Sequence, residues 1–157
     1  MQKKILLLFV SMFLIASTVS AQRLTPWTWD SYDTKFSVPR DFRVTKSSGT
    51  EFSATNDRIT LSIYPRTDEH LDYNAMENAV VRWARQNNVR YRGAPEYMED
   101  LNGYWGCYID GEASGYPTSL LLLVDPDDPD TSLYIWLSHS SAETDTAIAI
   151  LRSFVPN

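Results

Sequence analysis

A run of apolar residues at 119–124 limits the folds that are open to this chain. The run reads Ser119-Leu-Leu-Leu-Leu-Val124, so consecutive positions, rather than alternate ones, are apolar. Successive side chains of a β-strand point to opposite faces of its sheet, and a strand with this sequence has two apolar faces. Burying both faces requires one layer of structure above the sheet and another below it. The run therefore predicts a layered fold with this strand inside it.

Alternation of apolar and polar residues predicts the other strands. In the first half of the chain this pattern predicts strands at 35–39, 42–46, 51–55 and 59–64. In the second half, Asn102-Gly103 is a strong hairpin signal, because a type I′ turn needs positive φ at both of its central residues. We expect 97–101 to pair with 104–112 across this turn. Later turns at 114–117 and 126–130 extend the meander through 119–124 and 132–138.

Two segments have the spacing of amphipathic helices. Apolar residues recur every three or four positions through 74–87 and again through 143–154. Asn74 and Ser140 are the predicted N-caps, and each is followed three residues later by a glutamate, as in a capping box. Two helices and a sheet with a doubly buried strand predict an α+β fold in which helices sandwich an antiparallel β-sheet (α/β/α).

The beginning of the chain is typical of a cleavable signal peptide at 1–21. Lys3 and Lys4 precede an apolar stretch at 5–16, and Val19-Ser20-Ala21 supplies small residues at the cleavage position. Twelve apolar residues are fewer than the roughly 20 that a membrane-spanning helix needs. We therefore predict an exported protein, periplasmic or extracellular, with no membrane span after cleavage. A strap at 22–34 would lead into a single domain at 35–157.

Charge and cysteine content narrow the classes of function. Without Lys3 and Lys4, 12 of the 14 Lys and Arg remain against 20 Asp and Glu, a formal net charge of −8. This balance disfavours nucleic acid as a partner, because phosphate binding relies on clustered cations. Cys107 is the only cysteine and cannot form an intrachain disulfide. We expect it to be a buried, unreactive strand residue, since no cation near it in the sequence lowers its pKa.

The order of elements resembles the PsbP-like superfamily. The resemblance covers 35–154 and includes Phe36-Ser-Val-Pro39 followed by Phe42, the mid-chain helix, the long meander and a closing helix that ends in Ile150-Leu-Arg-Ser-Phe154. The superfamily includes the PsbP subunit of the oxygen-evolving complex, the Ran-binding Mog proteins and many exported bacterial domains. The resemblance implies an α/β/α sandwich that binds other macromolecules and is not an enzyme. No residue's role follows from it.

The resemblance thus implies a binding or accessory module of the cell envelope. We expect its partner to be another envelope protein or a small ligand, and we expect no cofactor.

The two histidines are the candidates for metal or acid–base chemistry. His70 lacks the paired spacing of a zinc site, and we expect an ordinary loop histidine and no metal. His139 lies among serines at 138, 140 and 141, which raises the alternative of a hydrolase that uses His139. No Gly-x-Ser-x-Gly elbow supports this alternative, and serines before a helix are expected as caps. We therefore predict no catalytic residue.

Residues 125–130 contain four aspartates, and calcium sites are built from such oxygen ligands. The segment lacks the glycine and the distal glutamate of an EF-hand, and two prolines stiffen it. We predict a solvated hairpin tip.

Aromatic residues in the strap are the candidate binding surface. Trp27 and Trp29 are two positions apart, so in an extended segment they point the same way and could stack on a sugar ring or a peptide. Tyr32 could extend this surface. A carbohydrate-binding module is therefore the first alternative function. The competing interpretation, which we favour, is that the aromatics anchor the strap to the domain, because large aromatics dominate core burial.

Overall fold

The computed structural model describes residues 23–156, apart from the side chains of Glu99 and Asp100. The predicted signal peptide at 1–21 lies outside the described residues. The elements follow one another as β1 (Leu24–Trp29), β2 (Thr34–Pro39), β3 (Arg43–Ser47), β4 (Phe52–Thr55), β5 (Ile59–Arg66), α1 (Met76–Gln86), β6 (Arg90–Tyr91), β7 (Glu96–Leu101), β8 (Tyr104–Ala113), β9 (Tyr116–Asp125), β10 (Asp128–His139), α2 (Thr144–Arg152) and β11 (Val155–Pro156). No helix within 23–156 is long and apolar enough to cross a membrane.

An eight-stranded antiparallel sheet forms the centre of the molecule. Its strands follow the order β3-β4-β5-β10-β9-β8-β6, and β7 also pairs with β8. The leucine run lies in β9, between β10 and β8, and Leu120 to Val124 are fully buried. The prediction of a strand covered on both faces is confirmed.

The two faces of the large sheet carry different layers. Helix α1 covers one face, where its buried residues Val80 and Trp83 join a core cluster that contains Leu120 and Leu122. On the other face, α2 and a small sheet of order β1-β2-β11 cover Leu121 and its neighbours. The predicted α+β class with an antiparallel sheet is confirmed, and the second outer layer proves to be a helix and a small sheet together.

The segment predicted as a strap contains a β-strand. β1 pairs with β2 over its whole length, from Leu24 opposite Pro39 to Trp29 opposite Thr34. Four consecutive residues of β1, at 25–28, are exposed, because this strand lies at the edge of the small sheet. An edge strand without a buried alternate face leaves no period-2 pattern in the sequence.

Both predicted helices and the central hairpin are present, but the predicted caps are wrong. Asn102 and Gly103 have φ of 54° and 102°, as a type I′ turn requires. Each helix begins with a 3-10 turn, which moves the first unpaired backbone N–H groups towards the N-terminus. The Asp72 carboxylate therefore caps the 3-10 turn that leads into α1, by accepting from the Ala75 N–H at 2.9 Å, whereas the Ser140 side chain caps nothing.

Candidate functional site

A cavity of about 640 Å³ lies between α2 and the large sheet. We call it the α2 groove. It exists because α2 packs against β10 and β2, which leaves the neighbouring ends of β8 and β9 partly uncovered. Its floor contains Met98 of β7, Tyr108 and Asp110 of β8, Ser119 of β9 and His139 of β10.

The wall of the α2 groove is formed by the helix itself. Ala147, Ile148 and Leu151 give this wall an apolar surface, and Arg152 lies at its C-terminal end. Ile148 is 46% exposed, although its neighbours Ala147 and Leu151 are buried. A large apolar side chain is thus accessible beside a polar floor.

Two hydroxyl groups of the floor donate to carboxylates. The Tyr108 hydroxyl donates to Glu96 Oε2 at 2.6 Å, and the Ser119 hydroxyl donates to Asp110 Oδ1 at 2.6 Å. The hydrogen bond to Glu96, together with burial, raises the pKa of Tyr108 to about 12. The phenol therefore stays protonated at neutral pH and keeps donating to the Glu96 carboxylate.

His139 is the buried titratable side chain of the groove. It is 6% exposed, and its Nδ1 lies 2.7 Å from the carbonyl oxygen of Ser140. A carbonyl oxygen only accepts, so Nδ1 carries the hydrogen and Nε2 is the acceptor nitrogen of this tautomer. Within residues 23–156, Nε2 makes no hydrogen bond and is not sealed from solvent.

The hydrogen bonds around His139 do not form a nucleophile–base pair. A serine nucleophile has to hydrogen-bond to the base that activates it. The Ser119 hydroxyl donates to Asp110 instead, and the Ser138 hydroxyl is bonded to Thr118 at 2.9 Å and accepts from the Trp136 indole at 2.8 Å. Among the described side chains, no serine hydroxyl is bonded to His139.

The other candidate residues for metal or thiol chemistry lie outside the groove. His70 Nδ1 is 2.7 Å from Asp130 Oδ1, and both side chains are largely exposed. Asp125 accepts from the backbone N–H of Asp127 in the β9–β10 turn. No three His, Cys, Asp or Glu side chains of the described part gather as a metal-binding set. Cys107 is fully buried, and burial raises the pKa of its thiol to about 12.

The three strap aromatics lie close together but differ in exposure. Trp27 and Trp29 do share one face of β1, but this face is the inner one, since their rings lie 5.8 and 5.9 Å from Phe52. Trp29 is only 2% exposed and is unavailable for stacking on a ligand, whereas Trp27 is 38% exposed at the sheet edge. Tyr32 packs on Trp29 at 4.8 Å and donates its hydroxyl to the Gly49 carbonyl.

The sequence identified His139 as a candidate residue but did not predict the groove or the other residues that line it. One signal was present in β8, where Tyr108 and Asp110 share a face with Gly106, although this face of the strand lies over the core. Polar residues on a face that should be apolar indicate an uncovered site. The register with β9 places Asp110 directly opposite Ser119.

The chain was compared with known sequences and solved structures. It matches no family model and no curated protein sequence. Cyanobacterial PsbP (CyanoP) of Synechocystis superposes with a TM-score of 0.60 at 10% identity, over 89% of this chain and 96% of that one. The Ran-binding protein Mog1p of Saccharomyces cerevisiae gives 0.58 at 10% identity, over 87% and 96%. A protein of Bacteroides thetaiotaomicron gives 0.50 at 7% identity, over 87% and 49%.

Identities this low show the fold alone. The three-layer arrangement and these superpositions agree with the resemblance drawn from the sequence. The chain has a PsbP/Mog1-like α+β fold.

Proposed function

We propose that this protein is an exported, non-enzymatic binding or accessory module of the cell envelope that holds its ligand or partner in the α2 groove. The groove itself carries this proposal. Its volume of about 640 Å³ is within the range of ligand pockets, and it combines an apolar wall with a few convergent polar groups.

Two further observations support binding over catalysis. The polar floor residues are hydrogen-bonded in pairs that contain no activated nucleophile, as the Ser119–Asp110 bond illustrates. In addition, one protein with the same fold, Mog1p, is a Ran-binding protein, so this scaffold can serve to hold a partner. The proposal of export rests on the leader pattern at 1–21.

Blocking the groove should abolish binding without unfolding the protein. We expect the neutral apolar dye N-phenyl-1-naphthylamine to bind the wild-type protein with a rise in fluorescence. Ile148→Arg should weaken this binding by at least about tenfold, which corresponds to roughly 1.4 kcal/mol, because a charged side chain would replace the accessible apolar part of the wall. A fluorescence titration measures the effect.

Val44→Arg is the matched control, because Val44 is also an exposed apolar residue but lies on β3, outside the groove. Its dye affinity should equal that of the wild type, and both variants should keep the wild-type melting temperature. Absence of dye binding to the wild type, or equal affinity in Ile148→Arg, would refute the groove as the binding site.

Trp27 carries the second candidate function, carbohydrate binding. Its ring remains partly accessible at the edge of the small sheet, where a sugar ring could stack on it. If so, chitin or glucan oligosaccharides should raise the melting temperature, and Trp27→Ala should abolish that rise while the fold is kept. Tyr116→Ala, which removes another exposed aromatic side chain, should leave the rise intact. Unfolding of the Trp27 variant, or a rise that persists in it, would rule out this candidate.

A further inference from the structure

We propose that the α2 groove selects a ligand that joins a protonated amine to an apolar body. This inference rests on the proposed function, because it takes the groove to be the place where the ligand binds. The inference depends on two observations: the donors of the groove floor are already bonded within the protein, whereas several of its acceptors are free to bind a ligand.

The donors of the groove floor are used within the protein. The hydroxyls of Tyr108 and Ser119 are donated to Glu96 and Asp110. The side-chain amide of Asn102, at one end of the groove, donates to the backbone carbonyls of Arg152 and Phe154, at 3.0 Å each. The two amide hydrogens of Asn102 are thus both donated within the protein, and these side chains have no further hydrogen to offer to a ligand.

Acceptors remain on the same floor. A hydroxyl oxygen that donates its hydrogen keeps its lone pairs, which leaves the oxygens of Tyr108 and Ser119 able to accept. Asp110 keeps its second carboxylate oxygen, and His139 keeps the lone pair of Nε2. His139 is the most buried of these acceptors at 6% exposed, and its Nε2 is open to solvent and makes no hydrogen bond within residues 23–156.

Strand register brings three of these acceptors together. Asp110 is directly opposite Ser119, and Ser119 is directly opposite Leu137, two residues before His139 on the same face of β10. Neighbouring strands are about 4.8 Å apart. Asp110 and Ser119 therefore form one site for a small cation, and His139 lies on the same face of the next strand, two residues further along.

The charge around the floor favours a cation. Asp110 is the carboxylate of the lining, and the Glu96 carboxylate lies just outside it, bonded to the floor residue Tyr108. The lining contains one fixed positive charge, Arg152, which is on the wall rather than the floor and is exposed at the end of α2. A protonated amine offers three donors and no acceptor, which complements this set. The apolar wall at Ala147, Ile148 and Leu151 then receives the hydrocarbon part of the ligand.

Three compounds with the same six-carbon chain test this selection: hexylamine, 1-hexanol and hexanoate. Titration of the purified protein at pH 7, followed by the NMR shifts of groove residues, gives the three affinities. Hexylammonium should bind at least about tenfold more tightly than hexanol, and hexanoate should bind least, because a carboxylate meets acceptors and negative charge.

The Asp110→Asn variant tests whether the negative charge of Asp110 causes the selection, because the side chain keeps nearly the same shape. The asparagine side chain keeps an oxygen that can accept from Ser119 but removes the charge, so hexylammonium affinity should fall about tenfold and hexanol affinity should fall by much less. Asp127→Asn makes the same change of charge in the β9–β10 turn, about 20 Å along the sheet, and should alter neither affinity. Melting temperatures report whether each variant is folded.

The outcomes distinguish the two proposals. Equal binding of hexanol and hexylammonium, or an Asp110→Asn variant with wild-type amine affinity, overturns the amine selection and leaves the groove as a binding site. The amine selection is also overturned if none of the three compounds binds. If N-phenyl-1-naphthylamine fails to bind as well, the proposed function falls together with the selection.

Discussion

Replacing Phe36 with alanine is expected to lower the free energy of unfolding by about 3–5 kcal/mol. The Phe36 ring is fully buried, stacks on Phe154 with centroids 4.9 Å apart and meets Phe52 edge-on at 5.1 Å. It therefore joins the small sheet, the segment after α2 and the large sheet. Its removal would leave a cavity among rings that are themselves held by close packing and cannot fill it.

Urea denaturation followed by circular dichroism measures this loss. Phe42→Ala is the matched control, because it is the same substitution six residues away at a partly buried position. Its loss should be clearly smaller. A loss at Phe36 of less than about 1 kcal/mol, the typical cost of an arbitrary substitution, would contradict this packing of Phe36 against Phe52 and Phe154.

Leu121→Ala and Leu122→Ala are each expected to lower the free energy of unfolding by about 2–5 kcal/mol. The two residues are adjacent in β9 but belong to different core clusters, one under α2 and the small sheet and the other under α1. Each substitution opens a cavity in a different layer, so both variants should be clearly less stable than the wild type. The same urea denaturation provides the measurement.

Ile148→Ala is the control for the leucine variants, because it shortens an exposed side chain and should change stability by no more than about 0.5 kcal/mol. A small loss at Leu121 alone would show that the α2 face of β9 is open. A small loss at Leu122 alone would show the same for the α1 face. Either result would refute the three-layer arrangement.

Local patterns in the sequence predicted most of the elements of the fold. The leucine run predicted the doubly covered strand, and Asn102-Gly103 predicted the hairpin between β7 and β8. These predictions succeeded because alternation and turn conformation depend on neighbours in the chain. The predictions of the N-caps failed because 3-10 turns precede both helices. Strand β1 was not predicted because its exposed edge position leaves no alternation of apolar and polar residues.

The candidate site was predicted less well. The sequence singled out His139, and the structure places it in the groove, but the residues that share the floor with it come from other strands. Asp110 and Ser119 are nine positions apart and meet only through the register of β8 and β9. The two tryptophans of β1 do share a face, but the direction of that face follows from packing against Phe52.

The sequence by itself determined that the chain forms an antiparallel sheet with a strand buried on both faces, two amphipathic helices and tight hairpins. These features depend on the periodicity of side chains along a strand or helix and on φ preferences at turns. Only the tertiary structure decided that Trp29 is buried, that α2 leaves the ends of β8 and β9 uncovered, and that Asp110, Ser119 and His139 lie on one floor. Register and layer packing join residues that are distant in sequence, and no local pattern encodes which of them will meet.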